Sequence, residues 1–468
     1  MNQFEIYKEL ELRGIKLNVD GTVKYFNSNF FAIYIKQRCL LIFAKDGNCY
    51  VYNRGVWELQ DRQKLLSKLR DIFQKPKFGV WSPSFEKDYM VSIEREVYYE
   101  GELNSHKNLI NLENGMFDTN TFTLKEHDAK YFSTIRIPVN FIESAQCPRF
   151  MKFLEEVFEG DKERMMVAQE WAGYVLTTDT SAQKALILLG EGENGKGVFV
   201  DTISLLIGED NISNIPLNEL SNEFSRVKLY NKTANISGEN EMNGKSVNTQ
   251  YFKAVVGEDT ISAAEKYQNR FSFKSPAKFI LTMNTLPNSK DTSHGYFRRL
   301  SILAFNANFS GNKRDNKLRE KLKEELPGIF IWAMDGLKRL KSNEYKFSKC
   351  KSMDEMLNRY KAEIKPMEEF FEDCIVPVED TSYREDNKLV YNTFRNWANQ
   401  NGIDSYNSKI SSQKFWNDFE GMAKNKGYKC TSGRSNTFRY HTGIKVIGEY
   451  KDTIRTNSNN NFTVSIDD

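Results

Sequence analysis

Histidine and cysteine are scarce in this 468-residue chain, four and six in number. The cysteines (39, 49, 147, 350, 374, 430) include no Cys-x2-Cys pair, and the histidines (106, 127, 294, 441) are not grouped. A zinc centre needs such ligands in clusters, so the pattern argues against one and fits a reduced, cytoplasmic protein. Long apolar runs are missing too, with no stretch near the roughly 18 residues that span a membrane. Met1-Asn2-Gln3-Phe4-Glu5 does not open a signal peptide, so neither membrane nor secretion is expected. An excess of one charge is also absent, since 66 Lys and Arg face 63 Asp and Glu. Any nucleic-acid surface must therefore be a local patch.

What the chain does contain is a strand running into a glycine-rich loop, Leu186-Ile187-Leu188-Leu189-Gly190-Glu191-Gly192-Glu193-Asn194-Gly195-Lys196-Gly197. A helical pattern follows at Val198, Phe199, Thr202, Ile203 and Leu206. Strand, loop and helix in that order form a phosphate-binding loop, in which backbone N–H groups and a helix N-terminus cradle an anion while Lys196 reaches the phosphates. The candidate nucleotide-binding residues are Gly190, Gly192, Glu193, Asn194, Gly195, Lys196, Gly197 and Val198. Gly197 departs from the common pattern, which places a Ser or Thr hydroxyl there for magnesium. An ordinary glycine-rich turn is the competing reading of the loop taken alone.

Three further pieces follow in order. The strand-like Lys232–Ser237 run leads to Glu239 and Glu241, placed where hydrolysis needs one carboxylate for a hydrated metal and one to polarise water. A third apolar strand, Phe279–Met283, ends in Asn284, whose amide can orient water against a γ-phosphate. Gly295-Tyr296-Phe297-Arg298-Arg299 then offers paired arginines before the strand Ile302–Phe305. A guanidinium there can reach transition-state charge, commonly across a subunit boundary.

Between these pieces lies Lys253-Ala254-Val255-Val256-Gly257-Glu258-Asp259, with Lys266, Tyr267 and Phe271 beyond it. The order and spacing from Gly190 to Arg299 resemble the superfamily 3 helicases of small viruses, phages and plasmids, of the phage/plasmid primase-helicase C-terminal type. The overall layout is similar to replication initiators of staphylococcal pathogenicity islands and phage satellites. The resemblance implies an α/β fold with an AAA+-like P-loop NTPase core, ATP and Mg2+ as cofactors, and a homohexamer in the bacterial cytoplasm. Lys196 would bind phosphates, and Glu239 and Glu241 would share the metal and water functions, with Glu239 on the metal. Asn284 would be the sensor, and Arg298 or Arg299 the finger. Lys266 and Tyr267 would lie on a hairpin gripping a single strand in the ring's channel. Priming is expected from a separate primase, together with host replication proteins. The alternatives are an origin-binding initiator whose ATP use drives assembly only, and a protein-remodelling or packaging ATPase.

The remaining segments give an N-terminal α+β module (1–104), a region with a hairpin signal and a helical collar (105–180), the NTPase region (181–345) and a linker or exposed helix (346–365). In the first of these, Lys24, Tyr25, Phe26, Lys36 and Arg38 read as a core plus a solvated face rather than a stacking surface. The NTPase region should close with two helices broken at Leu326-Pro327-Gly328. Residues 366–450 carry three helical patterns, Met367–Cys374, Leu389–Asn399 and Ser412–Lys424, and two strand-like runs, Tyr428–Cys430 and Thr437–Tyr440. Three helices and a β-ribbon outline a winged helix-turn-helix. Residues 384–450 hold 11 Lys and Arg against 6 Asp and Glu. Lys414, Lys429, Arg434 and Arg439 are the candidate DNA contacts, on double-stranded DNA including an origin. Residues 451–468 read as a flexible tail.

Overall fold

The computed structural model describes residues 2–238, 249–264, 270–287, 289, 291, 293–309, 315, 317–380, 382–401, 403 and 410–448. Contacts divide the chain into two units: Met1–Asn240 with Gln250–Asn284 and Phe305–Ser348, and Glu241–Thr249 with Thr285–Ala304 and Lys349–Asp468.

The first unit begins with helices Gln3–Leu12, Ser28–Arg38, Arg62–Gln74 and Pro83–Glu96 around a sheet in the order Val56–Leu59, Cys49–Asn53, Leu41–Ala44, Tyr98–Tyr99. Asp61 starts the third helix by accepting from Lys64 N at 2.9 Å, which satisfies one of the amides a helix start leaves unpaired. Phe31, Phe73 and Tyr89 are buried together with Phe26 packed on them, so Phe26 belongs to a core. Lys36 pairs with Glu96, and Arg38 lies over the Tyr34 ring.

The Asn-Gly signal produces an antiparallel pair, Leu109–Leu112 with Gly115–Asp118. The collar follows as helices Pro148–Val157 and Lys162–Val175. Lys162–Val175 crosses helix Leu326–Ser342 so closely that a Cβ on Gly173 would stand 2.2 Å from Ala333 O, and one on Gly336 2.3 Å from Gln169 O. Both positions need glycine because the two backbones meet there.

The expected break at Leu326-Pro327-Gly328 sits one residue earlier, at Glu325. Pro327 lies in the first turn of the second helix, where its missing N–H costs no hydrogen bond. The Glu325 carboxylate instead caps the collar, accepting from Arg149 N at 3.0 Å and Phe150 N at 2.9 Å.

At the centre of this unit, the strands Ile212–Ser213, Ala234–Ser237, Lys278–Met283 and Ala185–Leu189 lie side by side in that order, all parallel. Ala185–Leu189 and Phe279–Met283 are almost wholly buried and apolar, as strands covered on both faces tend to be, while Ala234–Ser237 is buried with two polar residues, Asn235 and Ser237.

In the second unit, strand Leu300–Ala304 packs against helix Lys351–Ile364. Of the expected linker or exposed helix, the chain forms the helix, with one side buried. Met353, Met356, Leu357, Tyr360 and Ile364 recur at helical spacing, and Tyr360 is 2 % exposed. Its hydroxyl donates to Pro287 O at 2.6 Å, tying the helix to the 285–304 segment. Beyond it, helices Pro366–Cys374, Asn387–Gln400 and Ser412–Asn425 enclose Phe370, Phe371, Phe394, Trp397, Phe415 and Phe419. A three-stranded sheet, Glu385–Asp386, Arg439–Thr442 and Thr431–Arg434, is joined by a further antiparallel pair, Ile375–Pro377 with Ile444–Val446. The ribbon is shifted from its expected position. Thr431–Arg434 is strand rather than turn, and the reversal falls at Ser435, whose Oγ accepts from Thr437 N and Phe438 N. The tail 451–468 lies outside the described residues.

Candidate nucleotide site and candidate nucleic-acid groove

The glycine-rich loop leaves the Ala185–Leu189 strand at Gly190 and enters helix Lys196–Ile207. Gly192, Glu193 and Gly195 take φ of 95°, 46° and 83°, the left-handed region that lets a chain turn sharply into a helix. A Cβ on Gly195 would stand 2.4 Å from Val157 Cγ1, and one on Gly190 2.2 Å from Asn194 Nδ2. Asn194, 4 % exposed, is the internal brace of the loop. Its Nδ2 donates to Phe305 O at 3.1 Å and its Oδ1 accepts from Lys196 N at 3.2 Å. Phe309 N donates to Glu193 O at 2.8 Å and closes the outer side.

Lys196 lies in the first turn of its helix and reaches back to the ends of two strands. Its Nζ donates to Gly190 O at 2.8 Å, Met283 O at 2.9 Å and Asn284 Oδ1 at 3.2 Å. Burial pulls its pKa below the ordinary lysine value. The ammonium therefore rests on neutral oxygens, with Asn284 exposed beside it. An anion arriving at the helix N-terminus meets backbone amides, a positive helix end and this cation together.

Gly197 is exposed in the helix and Val198 follows it half-buried. Glu239 and Glu241 lie outside the described residues, beyond strand Ala234–Ser237. That strand pairs directly with the strand that Asn284 ends. Lys266 and Tyr267 also lie outside the described residues, but strands Ile261–Ala263 and Phe271–Phe273 on either side pair antiparallel. Among the described residues, no group of three or more His, Cys, Asp or Glu could hold a metal ion.

Arg298 and Arg299 fall in the second unit, and the glycine-rich loop in the first. They follow the short helix His294–Phe297. Arg298 is exposed, whereas Arg299 folds back and donates Nη1 to Gly295 O at 2.6 Å.

In the same unit, a groove of about 980 Å3 runs between helix Ser412–Asn425 and the ribbon. Arg434 and Arg439, register partners on the two ribbon strands, line it. Lys414 and Lys429 are exposed but outside its lining. Sequence reasoning passed over Gln413 and Asn417, one helical turn apart on the groove side, and Lys388, which also lines the groove. Their signal was the i, i+4 spacing of amides on a helix otherwise apolar toward its core. His441 forms part of the wall. Its ring stacks on Trp416 at 4.7 Å, and its two nitrogens meet Asn387 Oδ1 at 2.8 Å and Glu420 Oε1 at 3.1 Å. Burial lowers its pKa, with the Glu420 carboxylate acting in the opposite direction.

A parallel α/β core with a glycine-rich loop and a lysine at the strand ends is an architecture of the NTPase type. Residues 188–299 match a family of unknown function, DUF5906, and residues 99–159 match the family described as D5 N terminal like. A protein of Acanthamoeba polyphaga mimivirus named "Putative helicase L207/L206" is 24% identical over 241 residues, covering 49% of this chain. The match spans 25% of that relative's length. Among solved structures, the A form apo structure of the NrS-1 C-terminal region aligns with a TM-score of 0.51 at 14% identity, covering 89% of this chain and 98% of that one. A second structure of that region gives 0.53 at 12% identity, covering 90% and 100%. These structures share the fold of this chain.

Proposed function

We propose that the chain is an ATP-hydrolysing DNA helicase of replication, of the superfamily 3 type with an AAA+-like core. The carrying observation is the position of the Lys196 ammonium, braced at 2.8–3.2 Å on the ends of two neighbouring parallel strands above a helix N-terminus. Similarity to a putative helicase and to the D5 N-terminal type supports the same reading.

In this reading the loop amides and Lys196 bind the phosphates of ATP, and Asn284 orients the attacking water. Bound magnesium would neutralise phosphate charge, with Glu239 and Glu241 proposed to supply the metal and water functions. Arg298, the more exposed of the two, is taken as the finger. Such a finger serves a neighbouring subunit, so the active form is a ring, taken to be a hexamer. The Lys266 and Tyr267 hairpin grips single-stranded DNA in its channel. The C-terminal helices and ribbon act as a winged helix that recognises an origin, as in initiators of staphylococcal pathogenicity islands and phage satellites.

Purified protein should hydrolyse ATP, faster with DNA, and unwind a forked duplex. Lys196→Ala should abolish both activities while leaving the thermal midpoint within a few degrees. Undiminished unwinding by that variant would overturn the proposal.

A further inference from the structure

Glycine at position 197 removes a hydroxyl from the phosphate side of the site, and the structure brings a different polar group beside that position. Outside its own helix and among the described residues, a Cβ built on Gly197 would have one neighbour within 4 Å, Nη2 of Arg319 at 3.9 Å. Arg319 belongs to helix Leu318–Glu324, which packs against helix Lys196–Ile207. Its Nε is held by Asp201 Oδ2 at 2.6 Å. Asp201 lies four residues after Gly197, so both are on one face of the helix. The ion pair thus lays the guanidinium along the first turn, with one terminal amino group toward the position where the loop pattern carries its hydroxyl.

Stability does not explain the arrangement. The two side chains are 61% and 46% exposed, and an exposed pair contributes little to folding. A Cβ at 197 would be in ordinary contact with this guanidinium, and glycine leaves that space open.

We infer that Arg319 is a phosphate-binding residue of this site, its guanidinium taking anionic oxygens of the nucleotide at the edge that a hydroxyl-held metal serves in the common loop. The inference rests on the nucleotide reading above. Arginine suits the role because its planar fork stays charged and can bond two oxygens at once. Asp201 is the positioning residue that orients it.

The test is binding of a fluorescent ATP analogue to the full chain by anisotropy, in Mg2+ and in EDTA. Wild type should bind in both, and Lys196→Ala in neither. Arg319→Ala should weaken binding about tenfold in EDTA as well as in Mg2+, as loss of a charge-assisted bond to phosphate requires. Arg319→Lys should recover part of the loss. Adding Gly197→Ser to Arg319→Ala should recover affinity in Mg2+ but not in EDTA. Equal binding of Arg319→Ala and wild type in EDTA would overturn the inference, as would a loss confined to Mg2+, while leaving the nucleotide site intact. A wild type that fails to bind would overturn the nucleotide reading itself. An unchanged thermal midpoint for Arg319→Ala separates lost binding from lost fold.

Discussion

Lys278, the first residue of the Lys278–Met283 strand that leads to Asn284, is 2 % exposed. Its ammonium donates to Thr177 O and lies 5.1 Å from the centre of the Tyr174 ring. Burial pushes its pKa from 10.5 down to about 7; Asp179 and Glu258 work against that effect and Lys107 with it. Between those two values the unfolded chain holds a proton that the folded chain has released. Stability therefore rises with pH across that window and is flat with respect to this group below about 7. At about 1.36 kcal/mol per pH unit, the full window corresponds to about 5 kcal/mol, and the step from pH 7 to pH 9 to about 3 kcal/mol. Lys278→Met keeps the length and the contact with Tyr174 and removes the titrating group. It forfeits one hydrogen bond to Thr177 O, worth about 1 kcal/mol. The variant should be more stable than wild type at pH 7 by about 4 kcal/mol, the upper end for apolar replacement of buried charged groups. Urea denaturation of the full chain at pH 7 and pH 9 measures both quantities. Equal pH slopes in wild type and variant, or a variant less stable at pH 7, would refute the reasoning.

Other outcomes follow from the same geometry. Glu325→Ala strips the cap from helix Pro148–Val157 and should cost about 1–2 kcal/mol, seen as a lower thermal midpoint and faster amide exchange at Arg149 and Phe150. Gly195→Val would place a branched side chain at φ 83° against Val157, so nucleotide binding in a filter assay should be lost before the fold is. Arg298→Ala should suppress DNA-stimulated hydrolysis more than Arg299→Ala does, whereas Arg299→Ala should lower the thermal midpoint more. For His441, the folded pKa lies below the ordinary 6.5, so its contribution is present above 6.5 and is lost as pH falls through the folded value. The pH dependence of melting below 6.5 should therefore be shallower in His441→Gln, and an unchanged profile would assign that dependence to other groups.

Much of the local structure follows from neighbours in the chain. Apolar runs at spacing two or 3.6 mark the Ala185–Leu189 strand and the collar helices, and Asp61, Asp161 and Ser411 mark helix starts by capping amides a few residues ahead. The glycine-rich loop was legible for the same reason, since positive φ and close backbone approach demand glycine within one short stretch. Errors arose where a local pattern had two outcomes. Leu326-Pro327-Gly328 reads as a break because proline ends helices, yet it also starts them, and distant Glu325 contacts decide between the two. Thr431–Arg434 reads as a turn on composition, but pairing with Arg439–Thr442 makes it strand.

Tertiary structure alone decided the environments. Parallel pairing of Leu186–Leu189 with Ile280–Met283 brings Asn284 to Lys196, 88 residues away. No periodicity reveals that Lys278 is buried while Lys414 is not, because burial depends on what other elements cover each site. The Asp201 and Arg319 pair beside Gly197 likewise exists only once two helices separated by a hundred residues pack together. Local sequence sets a glycine-rich loop with glycine where the common pattern has a hydroxyl; packing decides which charge stands beside that position, because long-range contacts and solvent exclusion set the electrostatics of a site.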